Sequence, residues 1–109
     1  MNILLLEDDY DYNISIKEYL ESLNYKIDSF ENGDEAYGAI YDKTYHLLIL
    51  DIRVPGLSGY EIVKKLKDEN NNIPVIFITS LTDINNLSLG YELGCNDYIK
   101  KPFSVKELK

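Results

Sequence analysis

The sequence predicts an α/β fold built on a parallel β-sheet, because short apolar segments alternate along the chain with amphipathic ones. The segments at 47–50 and 75–78 are apolar without alternation, which is typical of parallel strands covered on both faces. These segments, like residues 3–6, end directly in polar side chains. Ligands of such sheets bind outside the carboxyl ends of the strands, so the fold also predicts where a site lies.

Each element has its own signal in the sequence. Strands are predicted where residues are continuously apolar or alternate in polarity, at 3–6, 25–30, 47–50, 75–78 and 96–99. Helices are predicted where apolar residues recur at helical spacing: Ile16, Tyr19, Leu20 and Leu23, then Ala36, Tyr37 and Ile40, then Ile62, Val63 and Leu66.

Two further helices are predicted toward the end of the chain. A fourth helix covers 84–93, with Thr82 or Asp83 as its N-cap and Gly94 after its end. The motif Ser104-Val105-Lys106-Glu107 matches a capping box, which opens a fifth helix just before the sequence stops. Because that helix is cut short, we expect the chain to be part of a longer protein.

The composition excludes several classes of function. The chain has 109 residues, which suits one domain, and a net charge of −8. Because this charge repels the phosphate backbone, we expect no direct contact with nucleic acid. The apolar runs are too short to span a membrane, and no signal-peptide pattern precedes the first strand. Cys95 is the only cysteine, which excludes an internal disulfide and is compatible with a cytoplasmic location.

Chemically active side chains follow four of the predicted strands. They are Glu7-Asp8-Asp9 after the first, Asp51 after the third, Thr79 after the fourth and Lys101-Pro102 after the fifth. Because the carboxyl ends of parallel strands meet at one edge of a sheet, these groups are expected to converge on one pocket. Mg²⁺ binds one or two carboxylates together with waters and phosphate oxygens. The set therefore predicts a cation site beside a carboxylate that can act as a nucleophile.

Each of these residues has a simpler structural interpretation when it is taken alone. An acidic run in a loop is usually just solvated, the Thr79 hydroxyl can bond to local backbone, and Lys101 can be a surface charge. The coincidence of the acidic run with Asp51 at the end of a buried strand favours the metal site. Pro102 restricts the backbone before it and permits a cis peptide bond.

Four stretches of the sequence match one family pattern in the right order. They are Ile3-Leu4-Leu5-Leu6-Glu7-Asp8-Asp9, then Leu50-Asp51-Ile52-Arg53-Val54-Pro55-Gly56-Leu57-Ser58-Gly59, then Ile78-Thr79-Ser80, and Gly94-Cys95-Asn96-Asp97-Tyr98-Ile99-Lys100-Lys101-Pro102-Phe103. Through them the chain resembles the receiver domain of two-component response regulators over essentially its whole length. Residues 97–108 are most similar to the OmpR/PhoB subfamily, whose members carry a C-terminal winged-helix DNA-binding domain.

The resemblance implies a flavodoxin-like (CheY-like) fold, a doubly wound five-stranded parallel sheet with strand order 2-1-3-4-5. It also implies that Asp51 accepts a phosphoryl group from a sensor histidine kinase. The ligands implied for Mg²⁺ or Mn²⁺ are Asp8, Asp51, Glu7 and the backbone carbonyl of Arg53. Thr79 and Lys101 are implied to contact phosphate, and Thr79 and Tyr98 to form the switch. Pro102 is implied to follow Lys101 in a cis peptide bond. We expect Asp9 to be a helix cap or to lie outside the direct metal ligands.

The resemblance also implies partners. Phosphorylation would remodel the face made by the fourth helix, the fifth strand and the fifth helix, and so control a transcriptional effector domain. Residues 1–109 would be a single receiver domain at the N-terminal end of a longer regulator, a signalling phosphoacceptor and not an enzyme. The subfamily usually dimerises through salt bridges on that face. The predicted fourth helix offers Leu87 and Leu89 and contains no Lys or Arg, which disfavours such a homodimer here.

Three other functions fit parts of the pattern. A phosphohydrolase with a strand-end Asp typically needs a second Asp two residues later, where this chain has Arg53. A flavin-binding module needs a phosphate loop rich in Ser, Thr and Gly after the first strand, where Glu7-Asp8-Asp9 would repel phosphate. A pseudo-receiver that acts only as an interaction module remains open, although all the key pocket residues are present.

At two positions near the implied site, this chain lacks the residue types that assist hydrolysis of an aspartyl phosphate. Arg53 lies two residues after Asp51, and Leu81 lies two residues after Thr79. Neither side chain can position an attacking water as an acid or an amide can. We therefore expect an aspartyl phosphate on this chain to be comparatively long-lived.

Overall fold

The computed structural model describes residues 1–78 in full and residues 79 and 97–100 as backbone, and within them it contains five β-strands and three α-helices. In chain order these are β1 (Asn2–Leu6), α1 (Tyr10–Ser22), β2 (Lys26–Phe30), α2 (Gly33–Asp42), β3 (Leu47–Asp51), α3 (Gly59–Asp68), β4 (Val75–Thr79) and β5 (Asp97–Lys100). The predicted fourth and fifth helices, with Leu87, Leu89 and Cys95, lie outside the described residues. No described helix has the length and apolar character needed to cross a bilayer.

The five strands form one parallel sheet in the order β2-β1-β3-β4-β5. This is the flavodoxin-like (CheY-like) order that the family resemblance implies, so the predicted fold class is confirmed. Leu6 of β1 pairs with Leu50 of β3, and Asp51 at the end of β3 pairs with Ile78 of β4. The carboxyl ends of β1, β3 and β4 therefore lie side by side at one edge of the sheet.

Both faces of the sheet are covered, as the continuous apolar strands require. Leu4 and Leu6 point to one face, in a core cluster that includes residues of α2 and α3. Ile3 and Leu5 point to the other face and pack in a cluster that includes residues of α1. All four side chains are almost fully buried, and each contributes about 1.5–3 kcal/mol to folding through the hydrophobic effect. This core fixes the strand ends on which the site is built.

A side chain caps the N-terminus of each described helix. Asp9 caps α1, Asn32 caps α2, and Ser58 caps α3 in a capping box with Glu61. Each cap accepts a hydrogen bond from a backbone N–H that has no partner within its helix. Of the two roles expected for Asp9, the structure shows the helix cap: its Oδ1 accepts from the Tyr12 N–H at 3.2 Å.

The end of α1 differs from the prediction. The apolar spacing extended to Leu23, but α1 ends at Ser22 and Leu23 is 37% exposed. The reason is that Asn24 takes a left-handed backbone conformation with a φ of 70°, which asparagine tolerates better than most residues. This turn redirects the chain into β2.

A polar contact ties the edge strand β2 to the segment between α2 and β3. The hydroxyl of the buried Tyr45 donates to Oδ2 of Asp28 at 2.7 Å, and Lys43 Nζ lies 3.2 Å from the same oxygen. The Tyr45 hydrogen bond, assisted by Lys43, lowers the pKa of Asp28 below its usual value. Burial and the same hydrogen bond raise the pKa of Tyr45. The ionised form of Asp28 is therefore the form that stabilises this edge.

Replacing Tyr45 by phenylalanine is expected to lower the free energy of unfolding by about 1 kcal/mol at pH 7, since a partly solvated hydrogen bond to a carboxylate is lost. A lowered pKa in the folded state contributes stability above the unfolded pKa of about 4, and this contribution disappears as the pH falls through the folded value. Urea unfolding at pH 7 and at pH 3 checks both statements, because the difference between the two proteins should shrink in acid.

The matched control is Tyr19→Phe, because the Tyr19 hydroxyl has no hydrogen-bond partner among the residues that the structure describes. This variant should unfold like the wild type at both pH values. An equal loss of stability in Tyr19→Phe and Tyr45→Phe would contradict the role given to the Asp28 contact.

Candidate metal and phosphoacceptor site

Three carboxylates lie together at the carboxyl edge of the sheet. Oxygen atoms of Glu7, Asp8 and Asp51 all lie within 4.8 Å of one another. Glu7 and Asp51 are buried, with exposures of 0% and 5%, whereas Asp8 is exposed. The parallel register produces this cluster, because Leu6 pairs with Leu50 and the residues that follow them come side by side. The structure thus brings together the three acids that the sequence singled out.

The charges of this cluster fit a small divalent cation. Two unit negative charges about 5 Å apart repel by about 3 kcal/mol at an effective dielectric constant of about 20. Mg²⁺ and Mn²⁺ prefer oxygen ligands, and Mg²⁺ keeps several waters when it binds protein. The buried Glu7 and Asp51 offer fixed oxygens, and the exposed Asp8 lies on the side that water reaches. The donor set is therefore suitable for a hard cation.

Backbone N–H groups orient the two buried carboxylates. The Asp9 N–H donates to Oε2 of Glu7 at 3.0 Å, and the Arg53 N–H donates to Oδ1 of Asp51 at 3.2 Å. Each bond joins residues two apart, so each loop turns tightly at its strand end. The Asp51 contact places the Arg53 N–H beside the cluster, and the Arg53 carbonyl remains a predicted ligand.

A glycine lets α3 begin against the end of β3. A Cβ atom at Gly59 would lie 2.7 Å from the carbonyl oxygen of Asp51 and 3.1 Å from the Phe77 ring. The Gly59 N–H donates to the carbonyl of Ile52 at 3.1 Å and so closes the base of the loop between β3 and α3. Any larger residue would push the helix away from the strand that carries Asp51.

The side chain of Asn13 in α1 holds the backbone at Glu7, a role that the sequence did not predict. Its side chain is buried, and Nδ2 donates to the carbonyl of Glu7 at 2.9 Å and to that of Phe30 at 3.5 Å. A signal was present in the sequence, because Asn13 shares a helical face with Ile16 and Leu20 and is the polar member of that face. Buried polar groups are normally hydrogen-bonded, so this position indicated an anchor.

Of the remaining predicted site residues, some are described only by their backbone and others lie outside the described residues. Thr79 ends β4 one residue beyond Ile78, the partner of Asp51, so its backbone lies at the same edge as the acids. Tyr98 pairs with Phe77. The side chains of Thr79 and Tyr98 lie outside the described residues, as do Leu81, Lys101 and Pro102 in full.

The family model of the response regulator receiver domain matches residues 3–109. The chain belongs to the response regulator receiver family. Receiver domains are signalling proteins that bind Mg²⁺ at an acidic pocket, and phosphorylation is typical of them. This chain has an acidic cluster of that kind in Glu7, Asp8 and Asp51.

Curated relatives of this receiver domain are transcriptional regulatory proteins. It is 44% identical over 108 residues to the transcriptional regulatory protein CrdR of Helicobacter pylori, and this alignment covers 98% of this chain and 51% of that protein. It is 42% identical over 107 residues to the transcriptional regulatory protein CssR of Bacillus subtilis, which covers 97% of this chain and 47% of that protein. The receiver domain thus spans about half the length of the curated relatives it matches.

Solved structures agree with the fold. The receiver domain of the Francisella response regulator 1452 superposes with a TM-score of 0.91 at 32% identity, covering 98% of this chain and 88% of that chain. The chemotaxis protein CheY4 of Vibrio cholerae superposes with a TM-score of 0.88 at 21% identity, covering 98% of this chain and 91% of that chain, and supports the fold alone.

Proposed function

We propose that this receiver domain accepts a phosphoryl group on Asp51 from a sensor histidine kinase, in a reaction that depends on Mg²⁺ or Mn²⁺. The observation that carries the proposal is the buried carboxylate of Asp51 at a strand end, within 4.8 Å of carboxylate oxygens of Glu7 and Asp8. An isolated carboxylate in that environment would be strongly disfavoured. The buried Asp51 carboxylate lies instead beside two other acids, which is the arrangement that a phosphoacceptor with a cation site requires.

The chemistry is a transfer between two nucleophiles. A carboxylate oxygen of Asp51 bonds to phosphorus while the bond from phosphorus to the kinase histidine nitrogen breaks, and that nitrogen keeps the electron pair. The divalent cation, when bound, neutralises charge on the phosphoryl oxygens. The Arg53 N–H holds the acceptor in place at 3.2 Å, and the Asp9 N–H holds Glu7 at 3.0 Å. The protein thus supplies mainly positioning, which dominates phosphoryl transfer.

We assign the remaining site roles from the family resemblance and the strand-end positions. Asp8, Asp51, Glu7 and the Arg53 carbonyl are proposed to form the metal site. Thr79 and Lys101 contact the phosphoryl group, Thr79 and Tyr98 form the switch, and Pro102 follows Lys101 in a cis bond. The end of β4 beside β3 supports the role of Thr79, because its backbone follows the residue paired with Asp51.

The proposed output is control of a transcriptional effector domain. The curated relatives are transcriptional regulatory proteins of about twice this length. Residues 1–109 would then be a single receiver domain of the OmpR/PhoB type, preceding a DNA-binding domain in a longer regulator. Phosphorylation would act on the face made by the fourth helix, the fifth strand and the fifth helix, which is also the face through which the subfamily usually dimerises.

Phosphorylation with a small-molecule phosphodonor tests the proposal. The protein, the donor and Mg²⁺ should give a single phosphoryl adduct in an intact-mass measurement, and a chelator should prevent it. Reduction of the acyl phosphate followed by peptide mapping should place the adduct on Asp51. An adduct that forms equally well with a chelator, or that maps elsewhere, would overturn the assignment.

Replacing Arg53 by asparagine is expected to shorten the lifetime of the aspartyl phosphate several-fold. The exposed Arg53 side chain lies two residues after the acceptor and cannot orient an attacking water as an amide can. Timing the loss of phosphate from purified adducts measures the effect. Arg53→Lys, which keeps a positively charged side chain, should retain the wild-type lifetime. An unchanged lifetime in Arg53→Asn would contradict the role given to this position.

A further inference from the structure

The loop that follows Asp51 is held by the N-terminus of α2, which comes from a different part of the chain. The Gly33 N–H donates to the carbonyl of Pro55 at 2.8 Å. In the opposite direction, the Leu57 N–H donates to Oδ1 of Asp34 at 3.2 Å. The two segments therefore exchange a pair of hydrogen bonds, one donor from each side, at the tip of the loop.

Two glycines set how closely these segments approach. A Cβ atom at Gly33 would lie 1.7 Å from the carbonyl oxygen of Leu57. A Cβ atom at Gly56 would lie 2.7 Å from Oδ1 of Asn32, and the φ of +78° at Gly56 is one that favours glycine. At Gly33 the contact is backbone against backbone, and at Gly56 the loop backbone lies against the side chain of Asn32, so the loop has little freedom to shift.

The same loop is anchored to the phosphoacceptor at its other end. The Arg53 N–H binds the Asp51 carboxylate at 3.2 Å, and the Gly59 N–H binds the Ile52 carbonyl at 3.1 Å. Between these base contacts and the tip contacts run only a few residues, so a displacement of the tip is transmitted to Arg53. The tip contacts at Pro55 and Leu57 therefore lie close in the chain to the backbone N–H that binds Asp51.

Asp34 is the one side chain that the structure shows receiving a hydrogen bond from the loop tip. It shares the first turn of α2 with Glu35, so both carboxylates interact favourably with the positive end of the helix dipole. The Glu35 side chain makes no hydrogen bond or ion pair with the residues that the structure describes. What distinguishes Asp34 is therefore its bond to Leu57.

We propose that Asp34 is a positioning residue for the cation pocket: through the Leu57 N–H it holds the loop in the conformation in which Arg53 binds Asp51. This inference rests on the proposed function, since it assigns Asp34 a part in cation binding at the same site. Residues that orient metal ligands without touching the metal typically change metal affinity by 10- to 100-fold when they are replaced. Because Asp34 is exposed, its loss leaves the core intact.

Cation titration of four proteins tests the proposal: wild type, Asp34→Ala, Asp34→Asn and Glu35→Ala. Binding is measured by isothermal titration calorimetry with Mg²⁺ and with Mn²⁺, which needs no phosphorylation. Asp34→Ala should bind about 10-fold more weakly than the wild type. Asp34→Asn should stay within about 2-fold because its carbonyl oxygen still accepts from Leu57, and Glu35→Ala should not change. Wild-type affinity in Asp34→Ala, or an equal loss in Glu35→Ala, would overturn the proposal.

Amide hydrogen exchange in cation-free protein provides a second test that is independent of metal binding. The Arg53 N–H is bonded to Asp51, so a loosened loop should exchange it faster in Asp34→Ala and at the wild-type rate in Glu35→Ala. Unchanged exchange of the Arg53 N–H in Asp34→Ala would overturn the positioning role even if this variant binds cations more weakly than the wild type. A wild-type protein that binds no cation would refute the proposed function, while the exchange comparison would still decide the role of Asp34.

Discussion

Replacing Asp51 by asparagine is expected to abolish phosphorylation of this receiver domain while leaving its fold intact. An amide oxygen is a poor nucleophile, whereas the carboxylate of Asp51 can attack phosphorus directly. Asparagine has nearly the same size as aspartate and keeps an oxygen that can accept from the Arg53 N–H at the position now bonded at 3.2 Å. It also removes one of three neighbouring negative charges, so the folded state without a cation should not be destabilised.

Intact-mass measurement after incubation with a phosphodonor and Mg²⁺ checks this expectation. The matched control is Asp9→Asn, which replaces a neighbouring acid outside the cluster of three. Because asparagine caps helices about as well as aspartate, this variant should fold and be phosphorylated normally.

The same experiment separates the competing functions. An adduct that persists in Asp51→Asn would show a different acceptor. A folded wild-type protein that binds cations and forms no adduct would favour a pseudo-receiver, and turnover of a small phosphate ester would favour a phosphohydrolase. Loss of the adduct in Asp51→Asn alone is the outcome that supports the receiver assignment.

Replacing Gly33 by alanine should lower the free energy of unfolding by about 3 kcal/mol, at the upper end of the range for overpacking. The added Cβ would lie 1.7 Å from the Leu57 carbonyl oxygen, and that atom belongs to the backbone and cannot rotate away. Relief requires α2 and the loop to separate, which also breaks the bond of 2.8 Å between Gly33 and Pro55. Thermal unfolding should show a melting temperature about 10 °C or more below that of the wild type.

The same helix provides a control of opposite sign. A Cβ atom at Gly38 meets nothing within 4 Å, and alanine is a better helix former than glycine by about 1 kcal/mol. Gly38→Ala should therefore raise the melting temperature. Similar shifts in Gly33→Ala and Gly38→Ala, in either direction, would contradict the close contact described between α2 and the loop.

The sheet and the acid cluster followed from the sequence because their signals are local. Continuous apolar runs mark strands covered on both faces, and parallel pairing brings the residues after them to one edge whatever the details of the helices. For this reason the acids of Glu7-Asp8-Asp9 were expected to meet Asp51, and the family resemblance singled out Glu7 and Asp8 among them. Oxygens of Glu7, Asp8 and Asp51 lie within 4.8 Å of one another. The strand order came from the family resemblance, since spacing alone does not decide which strands are neighbours.

The supports of the cluster could not be predicted in the same way. Asn13 and Asp34 act through backbone groups of other segments, the carbonyl of Glu7 and the N–H of Leu57. Such contacts depend on how helices lie against loops, and the sequence signal for them is at most one polar residue on an apolar face. The early end of α1 at Ser22 has the same origin, because it depends on the left-handed backbone of Asn24.

The strand order divides the proposed site between the two halves of the chain. β1 lies between β2 and β3, so all of its pairing partners lie within the first 51 residues. The acids Glu7, Asp8 and Asp51 therefore all come from the first half of the sequence, whereas Thr79 and Lys101, which are proposed to contact phosphate, belong to the second half. Changes in the second half can thus alter the proposed phosphate contacts without replacing any of the three acids.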